Sequence, residues 1–276
     1  MRGACLFNKK TFWRKTLRKP RLNSTVVRVA VDTCCRLSRL YTESMSVEVK
    51  IEGGVARIFL NRPEKVNALD SALLEKLLSS LEDLQDLSGL RVAVLGGHGR
   101  AFCGGADVNE LSSLTAENAG AFVKRIHRVC QALRKLPVPV VARLHGAVIG
   151  AGLEIAAACD LRIAAEGTRF SMPEVRIGIP SVVEAALLPR LVGSGRAAWL
   201  VLTGEPIDAR RACEWGLVEQ IGDEEAVERV VKSLLAGDPR ALKMQKELLQ
   251  LWEEAPLATS IRESIAQFAR AHENGS

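Results

Sequence analysis

The chain has 276 residues, which is long enough for one large domain or two small ones. Hydrophobic residues make up 47% of it and charged residues 25%. These are the proportions of an ordinary globular protein, so a largely disordered, fibrous or low-complexity chain is excluded. No uninterrupted apolar run reaches the roughly 18–20 residues that a membrane-spanning helix requires, and we therefore expect no membrane span.

The positive charge is confined to the N-terminal segment. The formal net charge is +6, but residues 1–45 alone carry 11 basic and two acidic residues, and the rest of the chain nets −3. An Arg-rich, acid-poor segment with Ser and Thr has the composition of a mitochondrial transit peptide, and Arg39-Leu40-Tyr41 resembles a matrix-processing site. Alternatively, Met45 is the true start, and the residues before it are an upstream artefact or a disordered extension. The first interpretation predicts the mitochondrial matrix, and the second predicts the cytoplasm.

The body of the chain begins with a predicted β-hairpin, since Ser46–Glu52 and Val55–Leu60 flank a Gly53-Gly54 turn. Asp70 is a suitable N-cap for a helix with leucines along one face. Further apolar runs predict strands at Arg91–Leu95, Val138–Leu144, Leu161–Ala164 and near Phe170, and helices at Val123–Leu133, Leu153–Ala158, 181–193, 208–215, 224–236 and from 239 to the end. This order indicates an α/β domain followed by a helical region.

Two glycine-rich turns, Gly96–Asp107 and His145–Glu154, each follow a predicted strand. Glycine lets a backbone approach a ligand, and the start of a helix adds unpaired N–H donors. Two such turns side by side can direct two N–H groups at one oxygen atom, as in an oxyanion hole, although glycines also serve simply to make tight turns. Neither turn has the G-x-G-x-x-G or Walker spacing, which argues against those two kinds of nucleotide binding.

Two carboxylates, Glu154 and Glu174, lie in mostly apolar stretches. Burial raises the pKa of a carboxyl group, which suits general acid–base catalysis. The alternative is a structural role, either as a helix-start anion or in an ion pair with Arg162 or Arg176. The histidines His98, His127 and His145 are too dispersed for a metal triad, and the seven cysteines contain no C-x-x-C pair. We therefore predict no metal site and no disulfide framework.

Several short motifs occur together in a recognisable order. They are Asn61-Arg62-Pro63 with Asn67-Ala68-Leu69, Ala101–Asp107, Gly150–Asp160 and Met172-Pro173-Glu174. In this order and spacing they resemble the crotonase (enoyl-CoA hydratase/isomerase) superfamily over roughly residues 46–250. The resemblance implies an α/β fold, a crotonase-like spiral of ββα repeats over residues 46–200, with a C-terminal helical region at 201–276 that supports a homotrimer or hexamer. It also implies an acyl-CoA thioester substrate and no metal or redox cofactor.

The resemblance assigns roles to individual residues. Gly104 and Ala151 would supply the oxyanion-hole N–H groups, and Glu154 and Glu174 match the two glutamates of the hydratases. The segments that border CoA correspond to Lys65, Asn67, Ala68, Gly105, Ala106, Asp107 and Val108. Cys103 takes the place of a small packing residue, and Phe268 is expected beside the CoA site of a neighbouring subunit. Which glutamate is the acid and which the base stays open.

One segment departs from the pattern of the family. The glycine-rich turn usual after the second glutamate is replaced by residues 179–184, Ile-Pro-Ser-Val-Val-Glu. This change makes the acyl pocket bulkier and adds a third carboxylate, Glu184. That carboxylate either faces the pocket or is a solvated residue at the start of a helix, and we favour the solvated position.

The leading interpretation is hydration of a 2-trans-enoyl-CoA to a 3-hydroxyacyl-CoA. A second one is double-bond isomerisation, for which one glutamate suffices, and a third is dehydration or retro-aldol cleavage of a branched acyl-CoA. Some crotonase-like proteins bind RNA through a lysine-rich helix, but Lys76 is the only basic residue in 71–86. Since binding to phosphates needs clustered positive charge, we expect no nucleic-acid partner.

Overall fold

The computed structural model describes residues 28–29, 40–43 and 46–273. Within them, strands and helices alternate and then give way to helices, as predicted. The strands are β1 (Arg28–Val29), β2 (Leu40–Glu43), β3 (Val47–Glu52), β4 (Val55–Leu60), β5 (Val92–Gly97), β6 (Val140–Leu144), β7 (Ala147–Ile149), β8 (Leu161–Ala164), β9 (Arg169–Ser171), β10 (Ile207–Asp208) and β11 (Gln220–Ile221). The helices are α1 (Ser71–Gln85), α2 (Val108–Ser113), α3 (Ala119–Lys135), α4 (Ala151–Ala157), α5 (Leu188–Val192), α6 (Ser194–Thr203), α7 (Ala209–Trp215), α8 (Glu224–Ala236), α9 (Pro239–Glu254) and α10 (Leu257–Glu273).

The strands of the described residues form two sheets. The larger has the order β1-β2-β3-β4-β5-β6-β8-β11 and the smaller the order β10-β9-β7. The predicted hairpin is confirmed, because β3 and β4 pair antiparallel with Glu52 opposite Val55. From β4 to β11 the neighbouring strands are parallel. Parallel strands put their carboxyl ends on one edge of the sheet, and there the turns after β5 and β6 meet.

The main core lies between the larger sheet and helices α1 and α3. Asp70 caps α1 as predicted, with its Oδ1 accepting a hydrogen bond from the Leu73 N–H at 2.8 Å. The leucines of α1 at the helical spacing are buried, and Leu73, Leu77 and Leu81 are fully inaccessible. Full burial of one such side chain contributes about 1.5–3 kcal/mol, so this face fixes α1 on the sheet. None of the described helices is both long and apolar enough to span a membrane.

The structure differs from the prediction in several short elements, in α6 and in the division of the last helix. The helix expected at 181–193 is a 3-10 helix, Val183–Leu187, followed by the short α5. Helix α6 and strand β7 were not predicted, and the helix expected from 239 onwards breaks before Leu257, next to Pro256. Two or three residues carry no periodicity, and a proline interrupts a helix because it lacks the N–H donor.

Secondary structure continues across both of the expected domain boundaries. Strand β2 pairs antiparallel with β3, so the larger sheet continues across the boundary expected at residues 45–46. The rest of the expected transit peptide or disordered extension, residues 1–45, lies outside the described residues. The boundary expected at residue 200 falls inside α6, and β10 and β11 beyond it join the two sheets. The described residues from 201 onwards therefore hold these two short strands besides α7, α8, α9 and α10.

Candidate active site

The two glycine-rich turns lie side by side, as the sequence analysis expected. An isolated parallel bridge joins Cys103 to Val148, with the Cys103 N–H donating to Ala147 O at 3.0 Å and the Ile149 N–H to Cys103 O at 3.1 Å. Helix α4 approaches this bridge closely, since a Cβ at Gly152 would lie 2.7 Å from the Cβ of Cys103. The glycine at 152 is therefore required for the two turns to meet.

A cavity of about 250 Å³ opens where the turns meet. Its walls come from both turns, from α2 and α3, and from residues 173–182. The lining residues are Gly104, Gly105, Ala106, Val108, Leu111, Phe122, Val123, Ile126, Ile149, Gly150, Ala151, Glu154, Pro173, Glu174, Ile177, Ile179, Pro180 and Val182. All but the two glutamates are apolar or glycine, so the cavity suits an apolar ligand with a reacting group near two carboxylates.

Glu154 projects from α4 and is only 4% exposed. Its Oε1 accepts a hydrogen bond from the Ala185 N–H at 3.3 Å. Burial, followed by the nearby charge of Glu174 and a smaller contribution from Glu184, raises the pKa of Glu154 to about 8. A carboxyl group with this pKa holds a proton at neutral pH and can donate it.

Glu174 begins the 3-10 helix Glu174–Ile177 and faces the second turn. Its Oε2 accepts a hydrogen bond from the Ser181 hydroxyl at 2.9 Å. A side chain at Gly150, whose φ is +52°, would collide with Glu174 Oε1. The glycine thus lets the carboxylate lie directly against the start of α4.

Of the structural alternatives considered for the two glutamates, the helix-start position is found, with Glu154 in the first turn of α4 and Glu174 in the first turn of the 3-10 helix Glu174–Ile177, but the ion pairs are not. Arg162, once a candidate partner, pairs with Glu219, and Arg176 pairs with Glu205. The two carboxylates in the cavity are thus not engaged by these arginines. Two carboxyl groups in one apolar site, one of them with a raised pKa, are typical of general acid–base catalysis.

One of the two expected oxyanion donors needs correction. The Gly104 N–H donates to Val66 O at 2.8 Å, so it is not free for a ligand. Ala106 forms a parallel bridge with Leu69, in which the residues on either side of Ala106 make the hydrogen bonds. The Ala106 N–H consequently points away from Leu69, and within the described residues it has no backbone partner. Ala106 and Ala151, the first residue of α4, are the donors that the geometry supports.

Four of the residues expected to border CoA do not line the cavity. Asn67 is fully buried, and its amide is bonded to backbone groups at Arg62, His98, Ala101 and Phe102. Asp107 caps α2 and pairs with Arg62. Neither side chain is available to a ligand in this structure. Lys65 is exposed on a 3-10 helix and Ala68 is half-buried beside it.

The structure also places Glu184 and Cys103. Glu184 is 5% exposed, so its expected position as a solvated helix-start residue is wrong. Cys103 is fully buried and burial raises its pKa to about 12, which fits a packing residue. Sequence reasoning missed Ser181 and the contribution of α3 to the cavity, because the apolar face of α3 looks like ordinary core. Among the described residues, no group of three or more His, Cys, Asp or Glu side chains is placed to hold a metal ion.

Comparison with known proteins agrees with this geometry. A crystal structure of enoyl-CoA hydratase from Thermoplasma volcanium superposes with a TM-score of 0.80 at 31% identity, covering 84% of this chain and 94% of that one. A probable enoyl-CoA hydratase of Bacillus subtilis is 35% identical over 210 residues, which are 75% of this chain and 81% of that protein. The 1,2-epoxyphenylacetyl-CoA isomerase of Escherichia coli is 34% identical over 220 residues, 76% and 84% of the two chains.

The paired glycine turns and the doubly acidic cavity, on a sheet that superposes on such a hydratase, define a crotonase-fold enzyme. The sequence model of the enoyl-CoA hydratase/isomerase family matches residues 50–273. The chain belongs to this family. Its relatives include both hydratases and isomerases, and their named substrates differ.

Proposed function

We propose that this protein hydrates a 2-trans-enoyl-CoA to a 3-hydroxyacyl-CoA. The observation that carries the proposal is the convergence of two carboxylates, Glu154 and Glu174, on one apolar cavity beside two backbone N–H donors. Isomerisation needs one carboxyl group to shuttle a proton, whereas addition of water needs one group to accept a proton and another to donate one. Two carboxyl groups fit hydration more closely.

The chemistry of the proposed reaction follows from the proton shared by the two carboxylates. The ionised glutamate takes a proton from water as the water oxygen bonds to C3 of the enoyl group. The electrons of the C2=C3 bond move towards the thioester oxygen, where the Ala106 and Ala151 N–H groups stabilise the developing charge. The protonated glutamate then delivers its proton to C2. The reaction consumes one water and leaves one proton on the pair, so it requires no metal or redox cofactor.

The raised pKa of Glu154 supports a pair that holds one proton in the free enzyme. Two carboxylates in one apolar site do not ionise together readily, because burial and mutual repulsion both disfavour the second charge. We therefore assign the roles of acid and base to the pair rather than to either residue.

Double-bond isomerisation of an enoyl-CoA is the second candidate. A relative at 34% identity is an acyl-CoA isomerase, and the cavity supplies the single carboxylate that isomerisation needs. Incubating the full chain with 2-trans-enoyl-CoA and with 3-enoyl-CoA esters of several lengths separates the candidates. Loss of the conjugated thioester absorbance with formation of 3-hydroxyacyl-CoA supports hydration. A rise in that absorbance from the 3-enoyl ester, without hydration of the 2-enoyl ester, refutes it.

The proposal includes a homotrimer or hexamer. A groove on α9 and α10 exposes Trp252, Leu257, Ile261, Ile265 and Phe268, and apolar surface of this kind favours contact with another subunit. Light scattering behind a sizing column tests this assembly, and a monomeric mass refutes it. Import into the mitochondrial matrix stays a prediction based on the composition of residues 1–45, with a cytoplasmic enzyme as the alternative. Fractionation of cells that express the full chain distinguishes them.

A further inference from the structure

Glu184 is a buried third carboxylate behind the cavity. It lies on the 3-10 helix Val183–Leu187, which packs against α3 and α4. Its Oε1 is 2.7 Å from Nδ1 of His127, a side chain that is 48% exposed. Its Oε2 is buried and has no hydrogen-bond partner among the described residues. A buried carboxylate with an unpaired oxygen is unfavourable for stability, so its presence calls for a functional explanation.

The backbone beside Glu184 is strained. Val183 has a φ of +41°, in the left-handed region that a β-branched residue rarely adopts. Such a conformation persists only where the surrounding structure enforces it, and it is concentrated at functional sites. Here it turns Glu184 towards the interior between α3 and α4, while Val182 remains in the wall of the cavity.

The same segment makes direct contact with Glu154. The Ala185 N–H, next in the chain to Glu184, donates to Glu154 Oε1 at 3.3 Å. The charge of Glu184 contributes to the raised pKa of Glu154. After burial, the charges of Glu184 and Glu154 are also the leading causes that raise the pKa of Cys130 on α3. The hydrogen bond from Ala185 and the packing of the helix Val183–Leu187 on α3 and α4 place Glu184 near Glu154 and Cys130.

The side chains that face Glu154 come from three elements. Glu174 faces it from the 3-10 helix at 174–177, Glu184 from the helix at 183–187 and Cys130 from α3. The Ala185 and Val182 backbone N–H groups oppose the two carboxylates by favouring the ionised form of Glu154. His127 lies beyond Glu184 at the surface and contacts Glu184. Of these side chains, Glu174 alone lines the cavity with Glu154.

We propose that Glu184 is a positioning residue: buried between α3 and α4, it holds residues 182–185 against the carboxyl group of Glu154 and sets its own carboxyl group beside it. Glu184 does not line the cavity, so it acts through Glu154 and does not touch the substrate. The inference rests on the proposed function for its role in catalysis. The effect of Glu184 on the protonation of Glu154 can be measured without turnover.

The first test uses the linkage between protonation and stability. Glu154 has a raised pKa in the folded protein, so the folded chain holds a proton that the unfolded chain releases between pH 4.5 and about 8. Stability therefore falls as pH rises through this window, and Glu154→Gln removes the fall. The unfolding equilibrium constants of the wild type, Glu154→Gln, Glu184→Gln and the double variant are measured in urea from pH 5 to 8.5.

With Glu184 present, we expect the ratio of the wild-type to the Glu154→Gln unfolding constant to rise by about tenfold per pH unit within the window. The same ratio is then taken between Glu184→Gln and the double variant. We expect its total rise across the window to be about tenfold smaller, which corresponds to removing one nearby like charge. An equal rise in both backgrounds overturns the proposal. Glu184→Met is tested alongside, because an apolar side chain removes the charge without leaving a buried amide.

The second test uses catalysis. In Glu184→Gln or Glu184→Met, the alkaline decline of kcat/KM is expected to move to lower pH by about one unit. Glu166→Gln is the matched control, since Glu166 is exposed and does not line the cavity, and it should leave the profile unmoved. An unmoved profile in the Glu184 variants refutes the proposal. If hydration is absent but the stability difference is found, the proposed function fails and the effect of Glu184 on the Glu154 proton stands.

Discussion

The role of Asn67, either in stabilising the fold or in binding CoA, can be tested quantitatively. Its Oδ1 accepts from the Arg62 N–H at 2.8 Å, and its Nδ2 donates to the carbonyls of His98 at 2.9 Å and Ala101 at 2.8 Å, with Phe102 at 3.2 Å. The residue is fully buried and has a φ of +55°, which Asn tolerates better than most residues. Asn67→Ala thus removes the group that ties the first glycine turn together.

The magnitude follows from these contacts. Each buried backbone group left without a partner costs about 1–3 kcal/mol. Two to three such groups, together with about 1 kcal/mol for alanine at positive φ, predict a loss of at least about 3 kcal/mol in the free energy of unfolding. Asn118→Ala is the matched control, because Asn118 is exposed and its side chain accepts one hydrogen bond, from the Thr115 N–H. We expect that variant to lose no more than about 1 kcal/mol.

Urea unfolding followed by circular dichroism measures both variants, and acyl-CoA kinetics are recorded at a temperature where both are folded. If Asn67 is architectural, its variant loses stability, and kcat falls as the turn that carries Ala106 loosens. A variant with wild-type stability and only a raised KM for the acyl-CoA would refute this reasoning. Asn67 would then be a residue that contacts CoA directly.

Three further predictions follow from the structure. Because deprotonation of Glu154 removes the acid of the pair, kcat/KM should decline as pH rises through about 8, and a rate that stays constant to pH 9.5 would contradict this. Ser181→Ala removes the hydrogen bond to Glu174. It should lower kcat by about tenfold with little change in the urea midpoint of unfolding, and an unchanged kcat would show that Ser181 does not orient the carboxylate. Lys246 is buried, and its Nζ lies 2.8 Å from Asp160 Oδ2 and donates to the carbonyls of Leu133 and Val138. Lys246→Met should therefore lose about 3–5 kcal/mol of unfolding free energy. A loss below about 1 kcal/mol would show that Lys246 does not stabilise the fold.

The sequence analysis predicted the elements with clear periodicity. The alternation on either side of Gly53-Gly54 specified the hairpin, and the leucine spacing specified α1 together with its Asp70 cap. It also identified the two glycine turns and both glutamates of the cavity. These features are local, or belong to motifs whose order along the chain is distinctive.

The features that were not predicted depend on contacts between distant residues. The Gly104 N–H is occupied because Val66 approaches it from a separate turn, which no property of residues 101–107 reveals. The inward direction of Glu184 depends on the positive φ of Val183, a conformation that a β-branched residue does not suggest. The two-residue strands β10 and β11 form only because longer strands are already present to pair with them.

The most direct test of the account compares Glu154→Gln, Glu174→Gln and the double variant in hydration of crotonyl-CoA by the full chain. If the two carboxylates work as one acid–base pair, each single variant should lose about 10²–10⁴-fold in kcat, and the double variant should lose little more than the worse single one. Binding of the acyl-CoA, measured by calorimetry, should remain in all three. Near-wild-type turnover in either single variant would contradict the two-carboxylate mechanism.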